Sequence, residues 1–473
     1  MFPCRFFIIT ILFILALCAC RPFHPEPVHL PEQFVPGTFS QFTADADPTI
    51  KWWLTFQDRE LNALIEDAFN SNLDLKTLWA RVEQARASAV RAGADLYPEL
   101  SAVAGTVHSR RKIGNDLNIE DSAKDYTLGL AGGYELDIWG KNRSEREAAV
   151  YIFEAGKYEF KFAAITLVAE ITRRWLQIIS QRMQLSLLYD QLESNQTLME
   201  LIKLRFRQAM VSILDVYQQQ QVIDSIRAQI PLVEAQERRL MNELSVLLGK
   251  APQLGPEISR ENLPHLFPLP SAGIPAQLLE NRPDIRAAQL RLESAGWNVT
   301  AARAARLPSI SFTARSVFNS GDLDYLLDSW FLSLASNLTA PLFDGNLRAA
   351  EVDRLEAVRD ENLTAYKQAV LTAIRQVEDA LVTESRQTEH IEKLKQVIDT
   401  ARKALDQATV RYQNGLNDYL PVLTQILTVQ NLERNLIDQQ TILLANRVDL
   451  FRALGGTWTR ELIPPDPNAD PSS

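Results

Sequence analysis

The sequence predicts a mainly α-helical protein with a membrane β part, internally duplicated, and three observations carry that prediction. Residues 72–98 recur without a gap at 282–308, pairing Asp74 with Asp284, Glu83 with Glu293, Ala94 with Ala304 and Pro98 with Pro308. Two stretches long enough for helices of about 100 Å at 1.5 Å per residue are almost free of Pro and Gly. Two others alternate apolar with small polar residues, as half-buried strands do. The repeat is far too long for a solenoid unit and reads as a duplicated structural half. A site on its pseudo-symmetry axis would be built from both copies.

The N-terminus carries Arg5, an apolar run over residues 6–17, and then Leu17-Cys18-Ala19-Cys20. The run is too short to span a bilayer and reads as a secretory signal peptide, residues 1–19. Its last residues resemble a bacterial lipobox, which makes Cys20 the lipidated residue; an ordinary signal peptide cut nearby is the alternative. Arg21 stands where an acidic residue would favour inner-membrane retention, so the expected address is the outer membrane. Residues 20–50 are rich in Pro and Phe, lack a helical period, and suggest an extended lipid-anchored tether. All three cysteines, Cys4, Cys18 and Cys20, lie in this region, so no disulfide framework or cysteine metal site is expected. With 49 basic against 59 acidic side chains and a net charge of −10, nucleic acid is not an expected partner.

Beyond the tether, helical patterning dominates. From 142 to 208 apolar residues recur at spacings of three and four, as in Ile165, Val168, Ala169, Thr172, Leu176 and Ile179. The counterpart in the second copy, 348–413, contains neither Pro nor Gly. Shorter helices are expected at 73–96, 212–248, 283–306 and 419–454. Pro283 and Pro421 suit a first helical turn, whereas Pro231 should bend its helix. Taken alone, these helices fit a plain coiled-coil protein equally well.

The strands separate the two. Between 125 and 138, Tyr126, Leu128, Leu130, Gly132, Tyr134, Leu136 and Ile138 alternate with Thr127, Gly129, Ala131, Gly133, Glu135 and Asp137. Residues 330–342 repeat the pattern, and earlier strands are expected near 100–109 and 309–318. The chain thus offers two hairpins, about 99–139 and 309–343, with polar loops at 111–124 and 319–328 as their tips. An apolar face backed by a small polar one matches a membrane β-barrel wall around water. Four strands cannot close a barrel, and an open sheet in lipid would leave edge N–H and C=O groups unpaired. Oligomerisation resolves this: two chains give eight strands and three give twelve, and only the larger ring leaves a generous aqueous lumen. Half-buried hairpins in a soluble domain are the competing reading.

The order of motifs then points to a family. Trp52-Trp53-x-x-Phe56-x-Asp58-x-x-Leu61 follows the tether, Tyr134-Glu135-Leu136-Asp137-Ile138-Trp139-Gly140 closes the first hairpin, and Glu280-Asn281-Arg282-Pro283-Asp284-Ile285-Arg286 opens the second copy. Over nearly the whole length beyond the signal peptide the chain resembles a TolC-like outer membrane factor, in its outer membrane efflux lipoprotein branch. That resemblance implies a homotrimer: a twelve-stranded β-barrel continued by a periplasmic α-helical barrel. It implies a first repeat over 51–257 with its helical hairpin at about 142–248 and an inter-repeat linker at 258–281. A second repeat over 282–457 has its helical hairpin at about 346–454, and a C-terminal tail covers 458–473. The two turns between long helices would form the periplasmic tip, where an adaptor docks and the tube narrows. Ala209, Ser212 and Asp215 are the candidates in the first turn, and Asn414, Gly415, Leu416, Asp418 and Tyr419 in the second. Gly415 suits a left-handed helix-ending position; Ala209 departs from the family's usual glycine. Pro421 takes the position that corresponds to Asp215. Helix capping is the alternative role for Asp215 and Asp418.

Catalysis is not expected. His24, His29, His108, His265 and His390 show no paired ligand spacing, Leu248-Gly249-Lys250 lacks the rest of a phosphate loop, and no G-x-S-x-G elbow occurs. Neither cofactor nor metal is expected. The implied function is the outer membrane channel of a tripartite efflux system: a passive exit duct for small or amphipathic molecules delivered by a periplasmic adaptor (membrane fusion) protein and an inner-membrane pump of the RND type. A protein or peptide secretion duct and a structural envelope lipoprotein without a pore are the alternatives.

Overall fold

Among the described residues the chain forms seven α-helices and four strands: α1 Arg59–Ser71, α2 Leu73–Ala94, β1 Glu99–Ile113, β2 Ile119–Leu136, α3 Lys141–Arg207, α4 Ile213–Leu247, α5 Pro283–Ala304, β3 Ser309–Ser320, β4 Trp330–Thr339, α6 Leu347–Gln413 and α7 Tyr419–Leu454. This is a computed structural model, and it describes residues 23–25, 36–39, 51–113, 119–267, 269, 275, 281–456, 458–459 and 462. Cys20, the expected signal peptide, most of the expected tether and C-terminal tail, and part of the expected linker lie outside them. Two units are separable: Met1–Leu30, Arg81–Lys157 and Ala287–Lys367 make one, and Pro31–Ala80, Tyr158–Arg286 and Gln368–Ser473 the other. No described helix is long and apolar enough to cross a membrane.

The first unit holds a four-stranded antiparallel sheet in the order β1-β2-β3-β4. Directly paired residues share a face, so the register sorts the side chains. Leu128, Phe318 and Trp330 line up across three strands, as do Leu136, Ile310 and Leu338. Leu334 and Leu338 on this face are 80% and 67% exposed, which in water would be an unpartnered apolar wall. The opposite face carries Thr127 against Asn319, Ala131 against Arg315 and Glu135 against Ser311. β1 and β4 each pair on one side only, leaving two open edges.

The first hairpin extends further than expected. Strand pairing persists through His108–Lys124 and Ser109–Ala123 to Ile113–Ile119, so most of the predicted polar loop at 111–124 is strand. The apolar alternation lapses over the polar stretch His108–Lys112, but backbone hydrogen bonding needs no apolar face. The second tip stays a loop containing a short 3-10 turn, Leu323–Tyr325.

Matching devices start the two long helices. Gly140 and Gly345 both have positive φ, 77° and 62°. Three residues before Gly140, the Asp137 carboxylate accepts the Asn142 and Arg143 N–H groups at 3.1 and 2.9 Å. The Trp139 indole N–H donates to the Pro308 carbonyl at 2.7 Å, tying the end of one hairpin to the start of the other. α3 and α6 then run unbroken for 67 residues each. α4 likewise continues through Pro231.

In the second unit Trp52, Trp53 and Phe56 form a 3-10 turn, an element too short for any periodicity to predict. Trp52 stacks on Phe451 at 5.2 Å, Trp53 meets Trp458 at 4.8 Å, and Phe56 meets Phe267 at 4.9 Å. Asp58 then caps α1 by accepting the Leu61 N–H at 3.0 Å. The Leu248-Gly249 and Leu454-Gly455 pairs end their helices, Gly249 and Gly455 having φ of 67° and 83°. A Cβ at Gly249 would lie 2.3 Å from the Ser71 carbonyl oxygen, and one at Gly455 2.8 Å from that of Asn281. Both positions need glycine twice over. Arg282, 2% exposed, holds the second junction by pairing with Asp284 at 2.6 Å and donating to the Ala453 carbonyl at 2.8 Å.

Candidate channel tip

The second unit brings the two helix-joining turns together, and the same pair of backbone bonds closes both. In the first, the Ala209 N–H donates to the Phe206 carbonyl and the Met210 N–H to that of Arg205, each at 2.9 Å. In the second, the Gly415 N–H donates to the Tyr412 carbonyl at 3.0 Å and the Leu416 N–H to that of Arg411 at 2.9 Å. This paired pattern ends a helix through one left-handed residue. Gly415 takes that role with φ 71°, and Ala209 adopts the same conformation with φ 58°. The substitution of glycine by alanine leaves the path of the first turn intact.

The helix starts beyond the turns differ. Ser212 and Asp215 form a capping box: the Ser212 hydroxyl accepts the Asp215 N–H at 3.3 Å, and the Asp215 carboxylate accepts the Ser212 N–H at 3.0 Å. Asp418 occupies the corresponding N-cap position, yet its side chain makes no capping hydrogen bond. Pro421 stands at the third helical position and has no N–H to donate, which removes one of the two usual donors to a capping side chain. Capping, the alternative role for both aspartates, therefore holds for Asp215 and fails for Asp418.

The remaining candidates divide into surface and core. Leu416 is exposed, and the Asn414 amide turns back to donate to the Val410 carbonyl at 2.8 Å. Tyr419 is buried at 1% exposure, and its hydroxyl donates to the Gln219 side-chain oxygen. The Gln219 amide passes the chain on to Asn195, reaching its carbonyl at 2.8 Å and its side-chain oxygen at 3.1 Å. Burial, with Tyr412 and Asp215 nearby, pushes the Tyr419 phenol well above its ordinary range. It is therefore a neutral hydrogen-bond donor at any working pH. Around it pack Leu188, Ile202, Val222, Ile226, Tyr412 and Val422.

Arg205 is a site residue that sequence reasoning misses. Its guanidinium lies 4.7 Å from the centre of the Tyr412 ring and donates to the carbonyls of Tyr412 and Gln413 at 3.1 and 2.8 Å. Both carbonyls lie at the end of α6, where a cation is also favoured by the helix dipole. The signal in the sequence is the repeat itself, which pairs Arg205-Phe206 with Arg411-Tyr412. Between the turns lies a cleft of about 700 Å³ lined by Arg205, Met210, Gly415, Leu416, Asp418 and Pro421. No group of three or more His, Cys, Asp or Glu side chains among the described residues is arranged to hold a metal ion.

Comparison with known proteins accords with this architecture. The family model described as outer membrane efflux protein matches residues 64–250 and 274–456. The pyoverdine export outer membrane protein OpmQ of Pseudomonas aeruginosa is 31% identical over 423 residues, covering 88% of this chain and 89% of that one. The toluene efflux pump outer membrane protein TtgF of Pseudomonas putida is 31% identical over 417 residues, 87% of this chain and 86% of that one. A crystal structure of a membrane protein from Pseudomonas aeruginosa superposes with a TM-score of 0.84 at 30% identity, covering 93% of this chain and 100% of the other. The chain belongs to the outer membrane efflux protein family and has the fold of a TolC-like outer-membrane channel.

Proposed function

We propose that three copies of this chain form the passive exit duct of a tripartite efflux system, anchored through lipidated Cys20. The observation that carries the reading is the open sheet. It presents one apolar and one polar face and leaves the edges of β1 and β4 unpaired. In lipid each unpaired backbone group costs several kcal/mol, and pairing β4 of one copy with β1 of the next removes both edges. Three copies give twelve strands around a water-filled lumen, with the face bearing Arg315 and Glu135 inside and the leucine-rich face in lipid. The two repeats, 51–257 and 282–457, then supply six helical hairpins to a periplasmic barrel.

Ala209, Ser212, Asp215, Asn414, Gly415, Leu416, Asp418 and Tyr419 sit at the tip of that barrel, where a periplasmic adaptor docks and relaxes the closure. An inner-membrane pump of the RND type supplies the energy, since a duct of this kind couples to none itself. Relatives named for pyoverdine and for toluene support small or amphipathic cargo. The mass of the detergent-extracted protein tests the assembly: a trimer is expected, and a stable monomer would sink the barrel. A Cys20→Ser variant should lose incorporation of labelled fatty acid, and retained label would remove the lipid assignment.

A further inference from the structure

We infer that Arg411 binds the first tip turn of a neighbouring copy, stacking on the neighbour's Phe206 and donating to the carbonyl oxygens of its Phe206 and Arg207. The inference rests on the trimeric reading and deepens it.

Within one chain, Arg205 of the first repeat holds the second repeat's turn through the Tyr412 ring and the Tyr412 and Gln413 carbonyls. The repeat pairs Arg205-Phe206-Arg207 with Arg411-Tyr412-Gln413, and the pair of backbone bonds that closes each turn is the same. In a ring where first and second repeats alternate, the contact from first to second lies inside a chain. Its equivalent, from second to first, exists only between chains.

The single chain shows the unfilled half of that relation. Tyr412, covered by Arg205, is 4% exposed, whereas its counterpart Phe206 is 41% exposed. Arg411, the counterpart of Arg205, reaches no aromatic ring or other helix end among the described residues; its Nε donates to the Asn417 side chain at 3.1 Å on the surface. A guanidinium fork fits a ring face and two adjacent carbonyl oxygens, and the C-terminal end of a helix favours a cation. Val211 stands in the first repeat where Asn417 stands in the second. Arg411 thus has a local partner to return to when the neighbouring turn moves away, which Arg205 lacks.

Cysteine pairs test this in the full-length protein, with a short bis-maleimide as the cross-linker and the exposed Gln413 and Arg207 as the partner positions. Arg205→Cys with Gln413→Cys should cross-link within a chain and leave the band at monomer size. Arg411→Cys with Arg207→Cys should give a ladder to covalent trimer on a denaturing gel, and either Arg411→Cys or Arg207→Cys alone should give none. A trimeric mass with no ladder from the second pair, or a second-pair cross-link confined to single chains, would overturn the inference and leave the trimer standing. A monomeric mass would overturn both.

Discussion

The two tip turns share a backbone and differ in chemistry, and the difference separates what shapes a turn from what fastens it. Both end a 67-residue helix with the same pair of hydrogen bonds and a left-handed residue. The first is fastened at its next helix by a reciprocal capping box and is open at Phe206. The second has no side-chain cap beneath Asp418, yet its Tyr412 and Tyr419 are buried and held from outside, by Arg205 and Gln219. The first turn is thus secured by itself, and the second by the rest of the bundle. Asp418 is left as a carboxylate with no capping duty, which favours it over Asp215 as a pore-facing charge.

The largest effect should come from cutting what holds the second turn. Gln219→Leu removes the acceptor of the Tyr419 hydroxyl and the donor to two Asn195 oxygens, leaving buried polar groups unpaired at a cost of about 3 kcal/mol. Amide hydrogen exchange reads this locally: protection over the first turn of α7 should fall by about 100-fold, with the Ser212 region less affected. Equal loss in both turns would show that they open as one unit. Tyr412→Phe makes the contrasting change, because the Tyr412 hydroxyl is buried without a hydrogen-bond partner among the described residues. It should be neutral or mildly protecting.

Much of this architecture is legible in the sequence alone, because the duplication lets each copy vouch for the other. Two long helices, two hairpins and two tip turns follow from periodicity and from matched residues such as Gly140 with Gly345. Periodicity does not show that β2 pairs with β3, since register across a repeat boundary is set by backbone pairing. It also misses the extension of the first hairpin through the polar stretch His108–Lys112 to Ile113, and α1, whose start depends on the Asp58 cap. At the tip, Gly415 is legible as a left-handed residue because glycine is the usual choice there. Pro421 marks one lost capping donor for Asp418, but reading it requires knowing that Asp418 is the N-cap. Arg205 is marked only by its match to Arg411 in the repeat, because the main-chain carbonyls it holds leave no mark in sequence.

The capping contrast predicts an intermediate effect. Ser212→Ala removes one arm of the box and should cost about 1 kcal/mol, seen as roughly fivefold faster exchange in the first turn of α4. Asp418→Ala removes no capping bond and should change exchange in α7 by less than half as much. If Asp418 faces the pore, the same variant raises single-channel conductance in a planar bilayer while Ser212→Ala does not. A large exchange effect at Asp418→Ala, or unchanged conductance, would return that residue to an ordinary helix start.

The smallest effect concerns the left-handed position itself. An L-residue with a Cβ costs about 1 kcal/mol or more in that conformation, and part of the gain from glycine is lost to its freer unfolded chain. Ala209→Gly should therefore stabilise the first turn by about 0.5 kcal/mol, and Gly415→Ala should weaken the second by a similar amount. A Cβ at Gly415 meets nothing within 4 Å, so no clash enlarges the second figure and the two substitutions form a matched pair. Opposite and nearly equal shifts in exchange would show that the turns differ in backbone strain by this one atom. A much larger loss at Gly415→Ala would mean that the neighbouring copy's turn packs against that position in the assembled ring.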